Sequence, residues 1–117
     1  ADQKTGVCAA LVEAASRDRT LSTVRGAAGA LDRAFLDEPG VAELIAEASM
    51  LYATSFVLTS EPRLGAALEL ARRVVGQGGA VALNLSSIGI LGKVRGPLLQ
   101  LLPCAQLVFG NVAELRA

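Results

Sequence analysis

Met50–Ser86, MLYATSFVLTSEPRLGAALELARRVVGQGGAVALNLS, is the stretch whose reading decides the fold. Met50 to Ser55 reads as a buried strand. Ser60-Glu61-Pro62 then reads as a helix start, with serine as the cap and proline at the first helical position. Leu64, Ala67, Leu68, Ala71, Val74 and Val75 recur at spacings of three and four, which lines one face of a helix. Glu69 precedes Arg72 and Arg73 on the outer face, a favourable order of charges. Gly76-Gln77-Gly78-Gly79 ends this helix, and Ala80 to Leu85 forms the next strand.

The alternation continues downstream. Lys93 to Leu102 predicts a helix, with Pro97 near its start and Pro103 past its end. Gln106 to Phe109 predicts a third strand, and Asn111 opens a further helix. Strand and helix alternating from Met50 to Ala117 imply right-handed crossovers and a parallel sheet, so the fold class is α/β. Upstream, Asp37-Glu38-Pro39-Gly40 is a break, followed by a helix over Val41 to Glu47 with Val41, Leu44 and Ile45 on one face. Gly26 to Leu31 is a short turn or helix. Thr5 to Glu13 and Thr20 to Val24 are β-prone and read as a hairpin.

Composition narrows the functions. Eleven basic and eleven acidic residues give a formal net charge of zero, which offers nothing to a nucleic acid or an acidic membrane. Aromatic residues make up only 3%, too few for a base-stacking platform on single strands, so each ring stands out. There is no histidine, which removes Ser–His and Cys–His nucleophiles and leaves a zinc site short of ligands. Cys8 and Cys104 lie far apart and read as two buried, reduced thiols of a cytoplasmic protein. No apolar run reaches the roughly 18 residues that span a bilayer. The opening Ala-Asp-Gln-Lys-Thr-Gly has no signal-peptide pattern, and both ends read as cut, so the expectation is an internal piece of a longer chain.

Two glycine clusters fail as phosphate loops. Gly76-Gln77-Gly78-Gly79 follows a helix, whereas a phosphate loop opens one. Gly89-Ile90-Leu91-Gly92-Lys93 has too short a glycine spacing, and Val94 replaces the hydroxyl residue. Two other features carry chemistry. Phe56 follows a parallel strand at the end where such sheets bind ligands; it reads either as a core ring covering the sheet end or as a ring stacked on a flat ligand. Asn111-Val-Ala-Glu114 reads either as a capping box or as a carboxylate that holds magnesium through water.

Five segments in order resemble the adenosine kinases of the ribokinase-like (PfkB) family. They are Thr5-Gly-Val-Cys8-Ala-Ala, Arg19-Thr-Leu21 with Gly26-Ala-Ala-Gly29, Tyr52-Ala-Thr-Ser-Phe56-Val-Leu-Thr59, Leu83-Asn84-Leu85-Ser86, and Leu107-Val-Phe109-Gly110-Asn111-Val-Ala-Glu114. The resemblance implies a parallel-sheet ribokinase-like core with part of a small β lid, residues 1–25 belonging to the lid and 26–117 to the core. It implies that Cys8, Leu21 and Thr23 line the nucleoside pocket from the lid and that Phe56 stacks on adenine. Asn84, Asn111 and Glu114 would serve the nucleotide side, Glu114 toward Mg²⁺, with ATP as co-substrate and a monomeric parent in purine salvage.

The chain also departs from that pattern. Arg25 replaces an apolar lid residue, and Val112 replaces an acidic one. Ser87-Ile88-Gly89 stands where a Pro-Phe completes the adenine pocket, and the hairpin is slightly long. The Gly-Ala-Gly-Asp motif, whose aspartate takes the 5′-hydroxyl proton, is not among these residues, nor is the early Gly-Gly substrate segment. The expectation is therefore that this piece alone has no turnover. The alternatives are a related sugar or nucleoside kinase and a stand-alone, non-catalytic ligand-binding module; a flavodoxin-like regulator would need an acidic phosphoacceptor that is not evident.

Overall fold

A computed structural model describes residues 4–117; the first three residues of the expected lid segment lie outside the described residues. The chain divides into two compact units after Leu31.

The first unit is the expected hairpin. β1 (Val7–Val12) pairs antiparallel with β2 (Arg19–Val24), register running from Val7 opposite Val24 to Val12 opposite Arg19. A 3-10 turn, Gly26–Ala30, follows. All twelve positions of the two strands are exposed, so this ribbon has no core of its own. Cys8 is on it and is exposed, which corrects the expectation of two buried thiols: a two-stranded ribbon covers neither face. Cys104 is half-buried, and both thiols are free.

The second unit is the α/β layer. α1 (Pro39–Glu47) starts at the proline of the Asp37–Gly40 break, so the break is itself the helix start. Leu44 is 71% exposed, which corrects its assignment to the inward face; Val41, Ala42 and Ile45 are the half-covered positions. β3 (Met50–Thr54), β4 (Ala80–Asn84) and β5 (Leu107–Phe109) form a parallel sheet in the order β3-β4-β5. The register sets Tyr52 beside Ala82 beside Leu107, and Thr54 beside Asn84 beside Phe109.

Ala53, Val81 and Leu83 on one sheet face pack with Leu68 and Ala71 of α2 (Arg63–Gly76), with Val94 and Leu101 of α3 (Ile88–Leu101), and with Leu58. Each leucine buried there contributes about 1.5–3 kcal/mol. The opposite face keeps Met50, Tyr52, Leu107 and Phe109 exposed, so β3 is half-buried rather than buried: helices cover one side only.

α2 differs from expectation at its start. Pro62 occupies the cap position and Arg63 is the first helical residue, and Ser60 does not cap. Its hydroxyl is taken by the Arg63 guanidinium at 2.7 Å, while the longer Glu61 side chain reaches the free N–H of Gly65 at 3.2 Å. The other end is as read. Gly78 adopts φ +85°, and Gly79 N–H and Gly78 N–H return to the carbonyls of Val74 (2.8 Å) and Val75 (3.0 Å), a Schellman motif. On the outer face Arg73 pairs with Asp37 at 2.7 Å and Glu69 at 3.0 Å; those hydrogen bonds, Asp37's first, hold its guanidinium above its ordinary pKa.

α3 starts five residues before the expected Lys93, because the Ser87 carbonyl accepts from Ile90 and Leu91 and opens the helix there. Pro97 consequently lies inside it. Proline lacks the N–H that would bond the Lys93 carbonyl and crowds that turn, and Val94 leaves helical geometry (φ −112°, ψ 15°), a kink. α4 (Val112–Leu115) closes the described fold.

Candidate functional site

Three parallel strands end side by side, and the segments that leave them carry the candidate residues of this unit. Directly after β3 comes a 3-10 turn, Ser55–Thr59, with Phe56 at its second position and 46% exposed. Leu58 of the same turn points into the core. β4 ends on Asn84, and two residues past β5 stands Asn111. Neighbouring strands lie about 4.8 Å apart, so β3 and β5, which lead into the Phe56 turn and Asn111, are separated by roughly 10 Å.

Asn84 is the hub of the middle. Its amide nitrogen donates to the Tyr52 hydroxyl at 2.7 Å, and its oxygen accepts from the Ser86 N–H at 2.8 Å. Ser86 holds φ 62°, a left-handed conformation that these bonds to Asn84 stabilise. The Tyr52 ring faces Phe109 in a tilted arrangement, centroids 6.3 Å apart. Tyr52 and Phe109 therefore extend the rim onto the open sheet face. The sequence does carry a signal for Tyr52, which sits two residues from Thr54 on the same side of the strand.

Asn111 and Glu114 come together as a capping box. The Asn111 side chain accepts from Glu114 N–H at 2.9 Å, and the Glu114 carboxylate accepts from Asn111 N–H at 3.1 Å and from the Asn111 amide at 3.0 Å. The strand-to-helix corner is tight: a Cβ on Gly110 would lie 3.0 Å from Leu85 Cδ1 and 3.3 Å from the Glu114 carboxylate, so a side chain there would press on both. Each Glu114 oxygen keeps a second lone-pair direction, so this carboxylate suits a hydrated Mg²⁺ contacted through water. Among the described residues no group of three or more His, Cys, Asp or Glu side chains stands ready to hold a metal directly.

In the hairpin unit, Cys8 lies directly opposite Thr23, whose hydroxyl donates to the Cys8 sulfur at 3.2 Å. Leu21 is two residues from Thr23 and shares its face. The three candidates of that unit thus share one side of the ribbon.

Sequence reading missed the fastening of the Phe56 turn. Ser55 is 0% exposed, and its hydroxyl donates to the Leu85 carbonyl at 2.6 Å. The Thr59 hydroxyl donates to the Phe56 carbonyl at 2.8 Å and accepts from Arg63 at 2.9 Å. Arg63 precedes Ala67, Ala71 and Val74 at helical spacing, which puts a cation on the buried face of α2; that was the legible signal.

The parallel α/β layer is that of the ribokinase-like kinases whose solved structures it matches, and the chain belongs to the pfkB family of carbohydrate kinases, whose model matches residues 1–117. Within that family it is similar to the adenosine kinase of Schizosaccharomyces pombe, with 30% identity over 111 residues, 95% of this chain and 32% of the relative. It is also similar to the solved adenosine kinase of Anopheles gambiae in complex with P1,P4-di(adenosine-5) tetraphosphate (TM-score 0.85, 26% identity, 97% of this chain and 34% of the other). The adenosine kinase of Trypanosoma brucei brucei, solved in the apo state, gives TM-score 0.83 and 25% identity over 97% of this chain and 33% of its own. The chain spans about a third of the length of these relatives. No helix among the described residues is long and apolar enough to cross a membrane.

Proposed function

We propose that this chain is part of an ATP-dependent adenosine kinase that transfers a phosphoryl group to the 5′-hydroxyl of adenosine, in cytoplasmic purine salvage. Phe56 stacks on the adenine ring, and Cys8, Leu21 and Thr23 contact the nucleoside from the hairpin. Asn84, Asn111 and Glu114 serve the nucleotide side, Glu114 steadying a hydrated Mg²⁺, which when bound would offset charge on the transferring phosphates. The observation that carries this reading is the common rim: a half-exposed ring and an amide–carboxylate pair follow the same ends of β3 and β5, strands that lie about 10 Å apart in one parallel sheet. Phosphoryl transfer depends mostly on positioning and charge stabilisation, which such a rim supplies in part. The proton acceptor is not among these residues, so the chain alone is expected to be silent.

The test is a phosphoryl-transfer assay with adenosine and labelled ATP on this chain and on the full-length protein that carries it. Turnover by the full-length protein and none by the chain supports the reading; a silent full-length protein overturns it. A sugar or another nucleoside is the second reading, favoured by the exposed Ile88-Gly89 corner, which puts no ring where adenine would need a second wall. Competition by ribose, inosine and guanosine separates the two.

A further inference from the structure

Arg63 is 7% exposed at the first position of α2. The N-terminal end of a helix carries partial positive charge, so a cation in its first turn opposes the dipole. Burial of a guanidinium adds a desolvation cost that only good hydrogen bonds offset. One guanidinium nitrogen makes two such bonds, to the hydroxyls of Thr59 (2.9 Å) and Ser60 (2.7 Å). The Thr59 hydroxyl passes the interaction on, donating to the main-chain carbonyl of Phe56 at 2.8 Å. A hydroxyl that accepts from a cation is polarised and donates more strongly, so the relay stiffens the turn at the residue that bears the ring. On the other side of Phe56, the buried Ser55 hydroxyl is tied to the end of β4. Phe56 is thus half-exposed on a turn held from both sides.

We propose that Arg63 is a positioning residue for purine recognition: acting through the Thr59 hydroxyl, it fixes the turn so that the Phe56 ring presents a preorganised face to the base. This rests on the reading of Phe56 as the stacking ring. A fixed ring lowers the ordering cost of binding, so the effect belongs in nucleoside affinity and not in the transfer step.

The experiment uses the full-length protein with Phe56→Ala, Thr59→Val, Arg63→Met and Arg63→Lys. Thr59→Val and Arg63→Met are each expected to raise the adenosine KM about tenfold, the scale of one lost charge-assisted relay. The kcat and the KM for ATP stay within about twofold, because the group acts on nucleoside binding alone. Arg63→Lys recovers part of the loss, since an ammonium still donates to a hydroxyl. Added to Phe56→Ala, Thr59→Val has no further effect, because the ring it orients is gone. An unchanged adenosine KM in folded Thr59→Val overturns the proposal, as does its full effect persisting without the ring. If Phe56→Ala itself leaves the adenosine KM unchanged, the stacking reading fails first and takes this one with it. Where Arg63 variants do not fold, near-isosteric Thr59→Val carries the test, with circular dichroism as the folding control.

Discussion

The turn that carries Phe56 and the turn that carries Asn111 leave the same edge of the same sheet, yet they are fastened by different means. Around Phe56 the ties reach far along the chain: Ser55 bonds Leu85, thirty residues away, and Leu58 enters the core with α2 and α3. Around Asn111 the three ties of the capping box all run between Asn111 and Glu114, and all are exposed. A segment held by buried, long-range contacts shares the fate of the whole fold, whereas one held by exposed local bonds opens by itself. A kinase site would gain from both properties, a rigid wall for a flat base and a compliant carboxylate for a hydrated metal.

The largest break in this contrast comes from Leu58→Ala. Leu58 is 2% exposed, and its removal leaves a cavity beneath the Phe56 turn. The expected loss is about 2–5 kcal/mol in urea unfolding. A loss below about 1 kcal/mol would mean that the turn is not part of the core.

Ser55→Ala is the next step down. The Leu85 carbonyl also accepts from Ser87 N–H at 2.7 Å, so losing the Ser55 hydroxyl removes one buried bond without orphaning its acceptor. The expected cost is about 1 kcal/mol rather than the full penalty of an unsatisfied group. Because the bond anchors the turn itself, exchange of the Phe56 and Val57 amides should quicken with it; unchanged exchange there would show the hydroxyl to be incidental.

The same contrast explains what could be read from the chain. The helix of α2, its Schellman end and the capping box at Asn111 are written in neighbouring residues, and periodicity or spacing recovers them. The parallel direction of β3, β4 and β5 follows from the alternation of strand and helix. Where the reading slipped, a distant or competing partner decided the outcome. Ser60 has the right chemistry for a cap, but Arg63 takes its hydroxyl. Leu44 has the right spacing for an inward face, but no neighbour covers it. α3 begins before the expected Lys93 because the Ser87 carbonyl takes the Ile90 and Leu91 N–H groups, which leaves Pro97 inside the helix and a kink at Val94. The fastening of Phe56 by Ser55, Thr59 and Arg63 was the least legible part, since no spacing rule links residue 55 to residue 85.

The smallest expected effect is at the other turn. Asn111→Ala removes the side-chain acceptor for Glu114 N–H and one of the two donors to the Glu114 carboxylate, leaving the main-chain N–H of residue 111. Losing such a cap costs a helix about 0.5–2 kcal/mol, but α4 is four residues long and its bonds are exposed. The loss should therefore appear as fraying: faster exchange of the Glu114 and Leu115 amides, with global stability within about 0.5 kcal/mol of the parent. Asn111→Asp sharpens the point. It keeps an acceptor for Glu114 N–H and adds a negative charge that the helix start favours, yet it replaces the amide donor to Glu114 with a second carboxylate. The cap should survive, so exchange of the Glu114 and Leu115 amides stays near the parent's; exchange as fast as in Asn111→Ala would show that the amide donor, not the acceptor, holds the turn. If Asn111→Ala instead lowered the unfolding midpoint as far as Ser55→Ala does, the two turns would be one cooperative rim, and the division of labour between rigid wall and compliant carboxylate would have to be abandoned.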